Sequence, residues 1–464
     1  MVRLLFLGGN IVLARALAPH VFGIFAIVTF VVQFFSTFSN VGLGAALIQK
    51  KEHVSEPELS TAFWFQQGLV GMVAGIVFLA APLAMRVYPG LPQSGPWLIR
   101  AMAVSFLFTS LKTIPSILME RNLSYEKIAW TDIAEQAIYY ATVIPLALSG
   151  FEVWSFVIAT IAQSVVGVAL IYRYSEWRPA RVFHWPSAKG LISFGIPFQM
   201  NDVVNFIKEA ITPLFVGIYS GSSAVGYVTW ARNFAFAPIV LSEAFTKVSF
   251  PAFSRIQDEK ELLASTVELS FRCITFVMFP VTTIAFLLGP EITRIVFTEK
   301  WLPGITAYYF YCTSPFIIGI MVPMYNAILA MGKSSVLLKL GVLLLFLEWG
   351  LGIPLVLRFG YTGIAMNQPV IGFIFFFLYN AVLKKEGVRL SLWKNISPQL
   401  FSALFAGILV KGASMLVAVN ATTIVLLSIF GILVYLAAIY LIAGPLLREF
   451  VNYCRQIFCP MKAA

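Results

Sequence analysis

Gly, Pro and charged residues divide the chain into a series of apolar runs, and these runs limit what it can fold into. About fourteen runs can be distinguished, each close to the roughly 20 residues that a helix needs to cross a bilayer. Of the 464 residues, 59% are hydrophobic and 11% are charged, whereas about 25% are charged in an average soluble domain. The core of a soluble domain could not bury this many apolar runs. The sequence therefore excludes an ordinary soluble enzyme and predicts a membrane protein.

The length of the runs predicts which kind of membrane protein it is. They are far longer than the strands of a membrane barrel, and irregular backbone cannot face lipid. We therefore predict an all-α polytopic membrane protein with about 14 transmembrane helices. The approximate spans are 2–18, 22–46, 59–83, 97–119, 128–148, 152–172, 191–219, 225–250, 263–288, 304–330, 335–357, 361–383, 397–418 and 422–443.

Basic residues are distributed unequally between alternate breaks. Of the 32 Lys and Arg residues, 21 lie in breaks or near the ends of runs on one side, 6 lie in such positions on the other side, and 5 lie deeper within runs. Because cytoplasmic loops of membrane proteins are enriched in Lys and Arg, this asymmetry predicts that both termini are cytoplasmic. It also supports an even number of helices.

Short motifs recur along the chain at a nearly constant offset. Offsets of 203, 208 and 208 residues separate Gly23 from Gly226, Ile48 from Ile256 and Arg86 from Arg294. A constant offset indicates an internal duplication, with two six-helix copies related by an axis along the membrane normal; chance similarity of loop motifs is the alternative. We predict an N-terminal six-helix lobe at 1–180, a C-terminal six-helix lobe at 181–390, and two extra helices with a cytoplasmic tail at 391–464.

Polar side chains recur at helical spacing within two of the runs. They are Asn201, Asn205, Lys208 and Thr212 in the seventh run, and Thr229, Arg232 and Glu243 in the eighth. An ionisable group near the bilayer centre costs roughly 2.5–3.5 kcal/mol on insertion scales, so it is expected to face the protein interior or water. These two cationic faces predict a cavity in which Lys208 and Arg232 contact the substrate, with Asn201, Asn205, Thr212 and Glu243 as its polar lining.

Other charges within the runs are better explained by structural ion pairs. Glu268 and Arg272 are spaced i, i+4, which favours a pair within one helix. Lys112 and Glu135 lie at similar depth on neighbouring helices and predict a structural salt bridge, with Asp132 as an alternative acid. Each of these pairs neutralises itself, so none is a strong candidate for binding substrate.

The sequence predicts no cofactor and no metal site. Its four Cys and three His residues show none of the spacings that bind zinc, haem or a di-iron centre. Glu348 and Lys411 also fall within runs, and the sequence identifies no partner for either.

The chemistry of the two cationic faces favours an anionic ligand. Phosphate and pyrophosphate groups are held by Arg and Lys, and Arg offers two parallel donors, whereas a pathway for cations needs mainly carboxylates. The 42 Phe, 17 Tyr and 10 Trp residues would suit sugar stacking, although most are expected to pack against other helices and lipid.

Several motifs resemble one transporter family. They are Leu13-Ala14-Arg15-Ala16-Leu17-Ala18-Pro19 with Phe22-Gly23, Gly42-Leu43-Gly44-Ala45-Ala46-Leu47-Ile48-Gln49, Ser60-Thr61-Ala62-Phe63-Trp64, Glu120-Arg121-Asn122-Leu123-Ser124-Tyr125, Phe194-Gly195-Ile196-Pro197 and Gly226-Tyr227. These motifs are similar to those of lipopolysaccharide and exopolysaccharide translocases of the oligosaccharide flippase family. That family belongs to the multidrug/oligosaccharidyl-lipid/polysaccharide exporter superfamily.

The resemblance implies a function as well as a fold. By alternating access, such a protein would move an undecaprenyl-pyrophosphate-linked oligosaccharide between the leaflets of the bacterial cytoplasmic (inner) membrane. The movement would be from the inner to the outer leaflet, for surface polysaccharide biosynthesis. Arg121 would contact the pyrophosphate at the cytoplasmic mouth. Besides membrane lipids, a polysaccharide polymerase and a chain-length protein would be partners, and nucleic acid would not.

Two other functions are weighed against this one. A drug/cation antiporter of the same superfamily would need a cavity dominated by carboxylates. A membrane polysaccharide polymerase or ligase would need a large outer loop for its active site, and none of the outer breaks exceeds about twenty residues. We therefore expect a transporter rather than an enzyme.

Overall fold

The computed structural model describes residues 2–39, 42–44, 47 and 54–458, and within them the chain is helical with no strand. In chain order the α-helices are α1 Val2–Ala16, α2 Pro19–Ser39, α3 Glu56–Ala80, α4 Ala84–Val87, α5 Gly95–Leu111, α6 Thr113–Arg121, α7 Tyr125–Leu148, α8 Val153–Tyr174, α9 Trp185–Glu209, α10 Gly217–Ala235, α11 Val240–Arg255, α12 Lys260–Leu287, α13 Gly289–Ile292, α14 Ile305–Tyr311, α15 Thr313–Ala330, α16 Ser334–Phe359, α17 Thr362–Lys385, α18 Leu392–Leu416 and α19 Ala421–Phe458. Short π and 3-10 turns join several of them.

Eleven helical segments in the described ranges are long and apolar enough to cross a membrane, so the chain is a polytopic all-α membrane protein. The predicted number of fourteen is not reached by this measure. Helix α1 has 15 residues, and α7 carries charged side chains through its first half. The predicted seventh and eighth spans share one continuous segment, Asp202–Ile239. The number of fourteen crossings therefore stays a prediction.

The chain divides into two compact units, Met1–Gly226 and Tyr227–Ala464, which we call unit 1 and unit 2. This division reflects how densely residues contact one another. The boundaries at 180 and 390 come instead from the sequence duplication and stay a prediction.

Unit 1 is built around α8, which packs against α5 and α7, while α5 also packs against α3. A chain of hydroxyl groups joins α5 to α8. Ser105 Oγ lies 2.9 Å from Ser164 Oγ, and Thr109 Oγ1 lies 3.2 Å from the same oxygen. Between membrane helices, hydrogen bonds and small residues take over much of the role that hydrophobic burial has in water.

A close backbone contact joins the start of α2 to α10. A Cβ atom on Gly23 would lie 1.7 Å from the carbonyl oxygen of Ser222, and one on Gly226 would lie 2.0 Å from that of Pro19. Gly221, whose φ is 82°, interrupts α10 just before this contact. Gly23 and Gly226, which the sequence offset predicts to be repeat partners, therefore lie against each other. Any side chain at either position would separate the helices.

The connection between α8 and α9 is bound to the first turns of α3. Trp64 Nε1 donates to the carbonyl oxygen of Ala180 at 2.8 Å. In return, the N–H of Ala180 donates to Ser60 Oγ at 3.0 Å, and the N–H of His184 donates to Thr61 Oγ1 at 2.9 Å. The Ser60-Thr61-Ala62-Phe63-Trp64 motif thus has a structural role, because it holds this long connection in place.

Removal of the two hydroxyls should release this connection. In the Ser60→Ala, Thr61→Val double variant, the N–H groups of Ala180 and His184 lose their acceptors. Two hydrogen bonds contribute about 2 kcal/mol together, so we expect a roughly thirtyfold loss of amide exchange protection at both positions. Hydrogen exchange with mass spectrometry measures this. Thr266→Val is the control, because that hydroxyl donates within its own helix; unchanged protection in the double variant would contradict the assignment.

Unit 2 is organised around α12, the 28-residue helix Lys260–Leu287. It packs against α11, α15 and α18. The cytoplasmic half of this core, in the predicted topology, includes the buried residues Phe253, Leu263, Val267, Phe271, Met324, Ile328 and Leu383. Helix α12 therefore packs both against helices of the predicted C-terminal lobe and against α18, which follows that lobe.

The two C-terminal helices also belong to the core of unit 2. Phe276 and Phe279 of α12 cluster with Tyr435 and Ile439 of α19 and with residues of α18. Gly407 leaves no room for a Cβ atom beside Leu287, since the Leu287 Cδ1 would be 2.8 Å away. Small residues let membrane helices approach closely, so α18 packs tightly against α12.

Candidate functional site

Lys208 lies in the last turn of α9, in unit 1. Its side chain is 24% exposed, and Nζ lies 3.6 Å from Oε1 of Glu209. The acid next to it in sequence therefore compensates part of its charge, which the helical spacing did not indicate. An ammonium group has three donors, so contact with one carboxylate oxygen leaves donors for a second anion.

The polar face predicted around Lys208 lies where the helix changes type. Helix α9 ends at Glu209, and Thr212 begins a π-helix, Thr212–Val216, with Pro213 in its first turn. Ala210 and Ile211, which separate Lys208 from Thr212, keep α-helical backbone angles. The wider π turn begins only at Thr212, and the place of Thr212 on the polar face stays a prediction. Asn205 is exposed one turn before Lys208. The side chain of Asn201 lies outside the described residues, so its role stays a prediction.

Arg232 lies on α10 in unit 2. Its neighbours Trp230 and Ala231 are buried, and Trp230 stacks on Trp301 with ring centroids 5.4 Å apart. The Arg232 guanidinium carbon lies 5.5 Å from the ring centroid of Phe236, a distance typical of a cation–π contact. Arg232 is half-buried. The side chain of Glu243, predicted on the same face, lies outside the described residues.

Arg121 is the last residue of α6 and already makes a structural contact. Its Nη1 donates to the carbonyl oxygen of Leu47. A guanidinium has five N–H donors, so this bond does not use its whole capacity. Its predicted contact with pyrophosphate stays a prediction.

The structure brings Lys112 and Glu135 together in an ion pair between the end of α5 and α7. The side chains are 21% and 9% exposed. Gly167 on α8 provides the space for the carboxylate, because a Cβ atom there would lie 2.0 Å from Glu135 Oε1. Helix α8 therefore has to carry a glycine at this position for the ion pair to form as it does.

Glu268 on α12 has a partner that sequence spacing did not reveal. Its Oε1 accepts a hydrogen bond of 2.5 Å from the N–H of Ser391, next to the start of α18. Arg272 is half-buried one turn further along α12. The predicted ion pair between Glu268 and Arg272 stays a prediction, and Glu268 additionally connects α12 to α18.

Glu348, for which the sequence identified no partner, is buried between α16 and α17. Its Oε2 accepts from Nδ2 of Asn367 at 3.1 Å, and its Oε1 accepts from Nε2 of Gln368 at 3.0 Å. Both amides lie on the next helix, about twenty residues along. A search for polar residues on the neighbouring helix of the hairpin would have found them.

Lys411 also has a partner. Its Nζ lies 3.2 Å from Oε1 of Glu291, which is in α13. The sequence identified no partner for Lys411, and the structure supplies one from another segment. The two residues are 120 positions apart, so no local pattern in the sequence could have indicated the pair. It joins α18 to the segment that follows α12, inside unit 2.

This chain is similar to known proteins of polysaccharide biosynthesis and transport. The model of a family described as polysaccharide biosynthesis protein matches residues 12–306. The chain is 25% identical to the lipopolysaccharide biosynthesis protein WzxC of Escherichia coli K12, over 80% of this chain and 75% of that protein. It is 26% identical to the succinoglycan biosynthesis transport protein ExoT of Rhizobium meliloti, over 62% of this chain and 58% of that protein.

Solved structures share the fold. The lipid II flippase MurJ in an inward closed conformation superposes with a TM-score of 0.80 at 16% identity, over 96% of this chain and 98% of that one. An inward-facing multidrug resistance transporter of the MATE family superposes with a TM-score of 0.63 at 14% identity, over 83% of this chain and 96% of that one. At these identities the likeness concerns the fold alone.

Proposed function

The chain belongs to the polysaccharide biosynthesis protein family, and from this premise we propose that it is a flippase for a lipid-linked oligosaccharide. The observation that carries the proposal is the family match over residues 12–306. It is supported by relatives that are named for lipopolysaccharide biosynthesis and succinoglycan transport. The chain serves surface polysaccharide biosynthesis in this proposal, and its substrate crosses the membrane without covalent change.

The proposed carrier lipid is undecaprenyl pyrophosphate, and its pyrophosphate is the group that the protein holds. Lys208 and Arg232, the two membrane-embedded cations of α9 and α10, supply donors to it, with Arg121 as a further contact. Hydrogen bonds between these cations and phosphate oxygens are charge-assisted and therefore strong. The polyprenyl chain stays in lipid, so the protein needs to stabilise only the polar head during the crossing.

The orientation of the protein follows from its charge distribution. Both termini are cytoplasmic in the proposal, because 21 of the 32 Lys and Arg residues lie in the breaks or near the ends of runs on their side. The membrane is the bacterial cytoplasmic (inner) membrane, and the substrate moves from its inner to its outer leaflet. A polysaccharide polymerase and a chain-length protein then act on the product.

Transport by reconstituted vesicles tests the pyrophosphate contacts. We expect Lys208→Ala and Arg232→Ala each to lower the rate of flipping of a lipid-linked oligosaccharide about tenfold or more, since each removes charge-assisted hydrogen bonds to phosphate. Lys339→Ala is the matched control, because Lys339 is exposed on α16.

Two outcomes would contradict the proposal. Wild-type rates in both variants would overturn the pyrophosphate contacts. Transport of a cationic dye by the wild-type protein, with no flipping of the lipid-linked oligosaccharide, would favour the drug/cation antiporter instead.

A further inference from the structure

A cavity of about 690 Å³ opens at one end of unit 1. It is lined by the first turns of α2, by the break after α4, by the break between α7 and α8 with the first turn of α8, and by Ser222 in α10. In the predicted topology these segments lie at the first, third, fifth and seventh breaks, which are all on the side opposite the termini. The volume is in the range of about 300–1,000 Å³ that is usual for small-molecule sites.

The lining of the cavity is rich in hydrogen-bonding groups and poor in charge. It includes three hydroxyls, an imidazole, a carboxylate and an indole, which belong to Ser94, Ser149, Ser222, His20, Glu152 and Trp154. None of its lining residues is Lys or Arg. Within the described part of the chain, the Glu152 carboxylate makes no hydrogen bond or ion pair, and the residue is exposed.

The backbone that carries Glu152 and Trp154 is held in a defined shape. Gly150, two residues after the end of helix α7, has φ 84°, and the N–H of Phe151 donates to the Leu146 carbonyl at 3.1 Å, as in a Schellman motif. Glu152 then adopts φ 46°, which is uncommon for a residue other than glycine. Its carbonyl accepts from the N–H of Ser155 at 3.2 Å.

We propose that this cavity binds uncharged sugar residues of the transported glycan; the inference rests on the proposed flippase function. Glu152 accepts hydrogen bonds from sugar hydroxyls, and charge makes these bonds stronger than neutral ones. The indole of Trp154 supplies a flat apolar surface with a polar edge, and the hydroxyls and His20 supply further donors and acceptors. Acidic sugars are disfavoured, because Glu152 repels them and neither Lys nor Arg lines the cavity.

The test compares two substrates in vesicles that contain the full-length protein. One is the lipid-linked oligosaccharide extracted from the strain that supplies this chain, and the other is the same lipid trimmed to its first sugar. For the complete glycan, we expect Glu152→Gln and Trp154→Ala each to raise the apparent KM about tenfold, or ~1.4 kcal/mol. For the trimmed lipid the KM should not change. Trp154→Phe should restore most of the affinity because it keeps an aromatic surface.

The control is Trp130→Ala, which removes a tryptophan that is 56% exposed on α7 and lies outside the cavity. Thermal unfolding of each purified variant shows that it is folded. A wild-type KM for the complete glycan in both variants would overturn the sugar site, as would an equal rise for both lipids. Failure of the wild-type protein to flip either lipid would instead contradict the proposed function itself.

Discussion

Gly23→Ala should prevent stable folding of unit 1 and abolish transport. The new methyl group would lie 1.7 Å from the carbonyl oxygen of Ser222 and 2.6 Å from its carbonyl carbon. Both are backbone atoms, so the clash cannot be relieved by rotation of a side chain. The start of α2 must therefore move away from α10. Overpacking costs typically about 1–3 kcal/mol and more where backbone must move. The melting temperature of the purified protein and its flipping rate measure the effect.

The reciprocal variant makes this prediction stricter. In Gly226→Ala the methyl group would lie 2.0 Å from the carbonyl oxygen of Pro19, so it should lower the melting temperature as well. Gly71→Ala on α3 is the control, because no atom lies within 4 Å of the added carbon. A wild-type melting curve and flipping rate for Gly23→Ala would show that the two helices are not in contact.

Gly167→Ala should destabilise the protein by about 3 kcal/mol, the lower end of the cost of breaking a buried ion pair, because the Lys112 side chain is 21% exposed. The methyl group would occupy the position of the Glu135 carboxylate, with Oε1 2.0 Å and Cδ 2.7 Å away. The carboxylate must move, and the ammonium of Lys112 then loses its acid inside the membrane-spanning part of the protein. Thermal unfolding of the purified protein in detergent measures the loss.

A rescue variant separates the charge effect from simple crowding. Gly167→Ala combined with Glu135→Ala and Lys112→Met removes both charges and all the side-chain atoms that the methyl group would meet. Replacing a buried ion pair by apolar groups is often neutral or stabilising, so the triple variant should recover most of the stability. A melting temperature as low as that of Gly167→Ala alone would contradict this account of the ion pair.

Predictions from the sequence succeeded where the relevant contacts are local. The apolar runs correctly predicted helices and membrane spans, because a run of about 20 apolar residues meets the requirements of lipid by itself. The predicted number of fourteen spans was not confirmed, since eleven segments in the described residues meet the length and apolarity that a span needs. The polar first half of α7 and the continuous segment Asp202–Ile239 do not follow the simple pattern of one run and one break.

The candidate site could be predicted only in part. Helical spacing identified Lys208 and Arg232 as cations within spans, and sequence neighbours could have suggested that Glu209 compensates Lys208. The π-helix at Thr212–Val216 could not be predicted from spacing. The cavity that contains Glu152 was missed, because its lining comes from four separate segments of the chain and is recognisable only after they meet.

The sequence alone determined that the chain is a helical membrane protein, because hydrocarbon requires each backbone segment to satisfy its own hydrogen bonds. Its motifs also indicated the transporter family. The tertiary structure decided which residues touch. It placed Gly23 against Ser222, Glu291 beside Lys411, and Glu135 in the space left by Gly167. Membrane helices associate through close packing and scattered hydrogen bonds rather than burial from water, and such contacts between distant residues leave no periodic pattern in a sequence.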